Sequence, residues 1–189
     1  MNRKHRPKDE PTKEELENVA KSGLKYVVWM LNETAILTDE PNSVKNNAYI
    51  ESFVIHARIL ITFLYDKPDK RDTILAANYL ESWNETVSKT DLLLNVKERA
   101  NKMAAHLTRE GLKRYDADEE YKEWDRIKIR DEINRKLREF LDTVPEETIS
   151  SETKLAIRNV MRESTYPGPS CACFDTNENA TVGVTGPRQ

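Results

Sequence analysis

Apolar residues recur along this chain at steps of three and four. No run with a step of two is long enough to predict a strand. The first series is Leu16, Val19, Ala20, Leu24, Val27, Val28 and Leu31. Thr12, with Glu15 three residues on, makes a capping-box pattern ahead of it, and the two together predict a helix from Thr12 to about Leu37. Gly23 lowers helix propensity within that series without ending it. A second series runs from about Ser43 to Tyr65 and is apolar on most sides from Phe53 onward, which predicts the central, most buried helix. Its polar positions Asn47, Glu51, Arg58 and Thr62 share one angular sector, so their charges are expected to find partners inside the bundle.

Pro41, Pro68 and Pro145 punctuate the pattern. After Pro68, a short helix is predicted over residues 72–83, with Ile74, Leu75, Ala77, Leu80 and Trp83 apolar. Ser88 or Thr90 then caps a helix reaching Arg109, and Leu92, Leu93, Val96, Ala100, Met103, Ala104 and Leu107 form its apolar face. Gly111 suits its end. A further helix begins at Asp116 or Asp118 and runs through Val144, lined by Tyr121, Trp124, Ile127, Ile129, Ile133, Leu137, Phe140 and Leu141. The last starts at Ser150 or Ser151 and runs through Glu163. The expected fold is all-α: an antiparallel up-and-down bundle of about five to six helices. Residues 1–11, rich in proline and charge, and residues 165–189, rich in glycine, proline and polar residues, are expected to be disordered, leaving 12–164 as one helical domain.

The chain has 189 residues, enough for one domain with a substantial core. Five glycines leave little material for turn-rich β structure or a phosphate-binding glycine loop. A formal net charge of −3 means that any polyanion site would have to be a local patch. The basic N-terminus has no apolar stretch behind it, and the apolar run over residues 53–65 is broken by His56, Arg58 and Thr62. A cytoplasmic protein with no membrane span is therefore expected. Cys171 and Cys173, one residue apart in the terminal segment, read as free thiols. No zinc-ligand spacing, nucleotide-binding glycine motif or serine-hydrolase elbow occurs, so no metal or cofactor is expected. The run Asp116, Asp118, Glu119 and Glu120 reads as a helix N-terminus rather than a cation site.

Candidate chemistry lies in Glu98-Arg99-Ala100-Asn101-Lys102-Met103-Ala104-Ala105-His106. On a helix, Arg99 and His106 are two turns apart and project from nearly the same face, flanked by Asn95, Lys102 and Arg109. Arginine grips a phosphate with two hydrogen bonds, and histidine moves a proton near neutral pH. The same residues also permit a structural role, with His106 packed at a helix interface and Arg99 paired with an acid. A second polar cluster, Glu51, His56 and Arg58, would either line a cleft or be neutralised within the bundle. Trp29, Trp83 and Trp124 fall at helical spacing with other apolar residues and read as core.

The spacing of Arg99 and His106 resembles the Arg-x(4 to 6)-His motif of the HEPN superfamily (higher eukaryotes and prokaryotes nucleotide-binding). The stretch from Asn47 to Asp66 is similar to the second helix of bacterial members. The superfamily usually carries Asn, Asp or His directly after the arginine; here Ala100 follows it and Asn101 comes one place later. The resemblance implies an all-helical, metal-independent endoribonuclease of a defence or toxin–antitoxin type, acting as a homodimer. His106 would then be general base or acid for attack of a ribose 2′-hydroxyl on the adjacent phosphate. Arg99 would clamp that phosphate, and Asn101 and Lys102 would contact RNA. The alternative is a non-catalytic helical module that binds a protein partner.

Overall fold

The computed structural model describes residues 10–41, 43–68, 73–103 and 124–161. The protein is all-α. Its elements are α1 (Lys13–Asn18), a π-helical segment (Val19–Leu24), α2 (Lys25–Ile36), α3 (Val44–Tyr65), α4 (Ala76–Tyr79), α5 (Trp83–Thr86), α6 (Asp91–Met103), α7 (Arg126–Thr143) and α8 (Ser151–Val160).

Local chemistry starts α1, α3 and α8 where the sequence places them, but α7 begins at Arg126 and not at Asp116 or Asp118, because Trp124 and Asp125 lie outside the helix and Asp125 caps it. The Glu15 N–H donates to Thr12 Oγ1 at 3.2 Å, and the Thr12 N–H donates to Glu15 Oε2 at 2.8 Å. Ser43, Asp125 and Ser150 cap α3, α7 and α8 in the same way, each accepting from an N–H three residues on. The first helix is not α-helical throughout. Ser22 donates to the Asn18 carbonyl at 2.6 Å, and Gly23 follows it. A back-bonding serine beside a glycine weakens the regular ladder, and the chain widens there into the π segment.

Helix α3 is central and packs against α2, α6 and α7. By length and mean hydropathy it is the one described helix able to span a membrane, contrary to the expectation from the broken apolar run. In the fold, Phe53, Val54, Ala57, Leu60, Ile61 and Leu64 are buried against its neighbours, as in the core helix of a bundle. Its polar stripe is not inside: Asn47, Glu51 and Arg58 lie toward solvent and Thr62 is half-buried, so no buried charge needs neutralising.

The predicted helix over residues 72–83 is instead two single turns, α4 and α5, separated by extended backbone at Leu80. Tertiary contacts override the helical period. Phe140 of α7 meets Phe63, Tyr79 and Trp83 edge-on, at centroid distances of 5.3, 5.7 and 5.4 Å. Tyr79 donates to the Leu16 carbonyl at 3.0 Å, and Trp83 Nε1 donates to the Leu64 carbonyl at 2.8 Å.

Polar groups also tie the bundle. Asn32 and Asn134 are buried and exchange amide hydrogen bonds of 3.2 and 2.8 Å between α2 and α7. Arg126 donates to the Thr34 and Leu37 carbonyls at the end of α2, so α7 starts where α2 stops and the two run antiparallel. Glu17 accepts from the Ser150 N–H, Ser150 Oγ and Thr153 Oγ1, joining the end of α1 to the start of α8. Lys136 is buried along its stem and donates to Ser88 Oγ at 2.7 Å and Glu139 Oε2 at 2.9 Å.

Candidate functional site

Arg99, Asn101 and Lys102 occupy the last described turns of α6. The apolar positions Leu93, Val96 and Ala100 are buried and fix the helix against the core, leaving the three polar side chains at its margin. Arg99 is half-buried, and its guanidinium carbon lies 3.9 Å from the centroid of the Trp124 ring. That is a close cation–π contact, and it ties α6 to the segment leading into α7. Lys102 Nζ pairs with Glu98 Oε1 one turn back at 2.6 Å. Asn101 Oδ1 is buried and has no hydrogen-bond partner among the described residues. His106 lies outside the described residues, as do Asp116, Asp118, Glu119, Glu120, Cys171 and Cys173.

Glu51, His56 and Arg58 all lie on α3, within two turns. Glu51 and Arg58 are exposed, and no hydrogen bond or ion pair joins the three among the described residues. His56 Nδ1 lies 2.6 Å from the Ser52 carbonyl. A carbonyl only accepts, so Nδ1 carries the proton. The Tyr26 ring meets the imidazole edge-on at 6.0 Å. The spacing of three polar residues on one helix predicted proximity, but the neighbouring helix decides which of them gain partners.

The feature the sequence did not reveal is an apolar face along α2 and α3. Tyr26, Trp29, Ile55 and Ile59 are 52%, 44%, 47% and 45% exposed. Tyr26 bridges the two helices, with Trp29 at 6.1 Å and His56 at 6.0 Å. Trp29 is therefore a surface residue, contrary to its expected place in the core. Trp83 is buried and Trp124 half-buried. Helical periodicity marks α2 as apolar on more than one side, yet only the packed bundle shows which side stays uncovered.

At one end of this face, between the π segment and α3, a cavity of ≈ 470 Å³ opens. Val19, Gly23 and Val27 line it on one side, and Ile55, Ile59 and Phe63 on the other. Arg58 is its only charged lining residue among those described. No group of three or more potential metal ligands occurs among the described residues. No known protein family, curated protein or solved structure matches the chain.

Proposed function

We propose that this chain is a HEPN-like helical protein that works by binding, with the α2–α3 face as its docking surface and a second copy of the chain as partner. The observation that carries this reading is that the packed helices α2 and α3 leave four large apolar side chains, Tyr26, Trp29, Ile55 and Ile59, about half exposed. Val44, Leu94 and Leu155 are the scattered kind of exposed apolar residue that soluble surfaces tolerate; a patch with two aromatic rings is the kind that partners cover. Neighbouring helix positions carry both signs, with Lys25 and Arg58 against Glu33 and Glu51. A face of mixed sign can meet its own copy across a two-fold axis. The proposed setting is the cytoplasm, without metal or cofactor.

Light scattering tests this. The wild type is expected at twice the chain mass, and Trp29→Glu and Ile59→Glu each at the chain mass with unchanged helical circular dichroism. A monomeric wild type at its highest soluble concentration overturns the reading.

The second reading is the metal-independent endoribonuclease, with Arg99 and His106 catalytic and Asn101 and Lys102 at the RNA. Asn101 favours it, because its buried amide oxygen has no partner among the described residues, a costly state that a ligand would relieve. Its test is RNA cleavage in EDTA. Products ending in 2′,3′-cyclic phosphate, absent for Arg99→Ala and His106→Ala, would establish this reading; cleavage that survives both substitutions would remove it.

A further inference from the structure

The cavity beside the π segment has features that the self-association face does not need. Its volume of ≈ 470 Å³ falls in the range of small-molecule sites. Its walls are mostly apolar, with hydroxyls at Thr62 and Thr73. Arg58 stands on its rim, exposed, with no carboxylate paired to it among the described residues. Gly23 contributes the room. A Cβ built there would meet only Val19 Cγ1, at 3.9 Å, so the space before it is open. The π segment, which widens the helix at this point, is a local departure of the kind found at functional sites.

We propose that this cavity binds a free amphipathic carboxylate, a fatty-acid-like molecule whose acyl chain lies between the π segment and α3 and whose head pairs with Arg58. The charge pattern selects this class. An apolar hollow with one cation at its rim complements an apolar chain with one anion at its end. A neutral chain would leave the guanidinium unused, and a cationic one would be repelled. The site shares Ile55 and Ile59 with the exposed face, while Val19, Gly23, Val27 and Phe63 belong to the cavity alone.

Isothermal titration with decanoate, decanol and decyltrimethylammonium tests the proposal on the full chain, each below its micelle concentration. Decanoate is expected to bind saturably with one site per chain, and more tightly than decanol or the cation. Arg58→Gln, at an exposed position, is expected to weaken decanoate about tenfold and leave decanol unchanged. Gly23→Leu, which fills the hollow, is expected to abolish binding of both; Ile59→Trp fills it from the opposite wall should Gly23→Leu not fold. Lengthening the chain from octanoate to decanoate should tighten binding by up to about fourfold per methylene. The same titration on Trp29→Glu should still show one saturable decanoate site per chain, which separates this site from the docking face. No saturable decanoate binding, equal affinity for decanoate and decanol, or undiminished binding in both filled variants would overturn the proposal.

Discussion

At the scale of single residues, the interior is held by a few polar contacts whose disruption has predictable sign. The Asn32–Asn134 amide pair is buried, so each side chain relies on the other for hydrogen bonding across the helix interface. Asn32→Leu strands Asn134 and is expected to cost about 1–3 kcal/mol in urea unfolding. The double variant Asn32→Leu with Asn134→Leu should recover part of that loss, because it leaves no orphaned amide. A double variant less stable than the sum of the singles would contradict this. Glu17 is the second case. Burial opposes its ionisation, but hydrogen bonds from Thr153 and from the Ser150 side chain and backbone, with the charge of Lys21, outweigh it. Its carboxyl is held below the ordinary value of 4.5. A depressed folded-state value means the contribution is present above that ordinary value and is lost as pH falls through the folded one. Stability measured from about pH 7 down to about pH 3 should therefore fall less steeply for Glu17→Gln than for the wild type.

At the scale of elements, the π segment is the place where the chain departs from regular structure. Gly23 adopts helical backbone there, and a methyl group would meet only Val19 at 3.9 Å. Gly23→Ala should accordingly raise stability by about 0.5–1 kcal/mol, read as a higher melting temperature. A lower melting temperature would mean that the segment requires glycine. The helix starts were legible in the sequence because capping is local: Thr12 with Glu15, Ser43 and Ser150 all act within three residues. The apolar faces of α6 and α7 were legible for the same reason, since period alone places Leu93, Val96, Ile133, Leu137 and Phe140 inside. The break between α4 and α5 was not, because it depends on Phe140, which lies far along the chain in α7. The place of Arg99 was only half legible. Its helix could be read, but its stacking on Trp124 joins segments that periodicity treats separately.

At the scale of the whole molecule, the helices run up and down around α3, and one flank of that arrangement stays open. Helices α6 and α7 cover α3 on the inner side; the outer side of α2 and α3 carries Tyr26, Trp29, Ile55 and Ile59 to the surface. The sequence marked these residues as apolar and placed Trp29 in the core, because exposure is a property of which neighbours pack where. In the proposed dimer this face is buried against a second copy. Hydrogen–deuterium exchange at high and low protein concentration tests it most directly. Slower exchange at high concentration, confined to residues 25–33 and 51–59, is the predicted result. Exchange independent of concentration, or slowing at residues 95–102 instead, would contradict it.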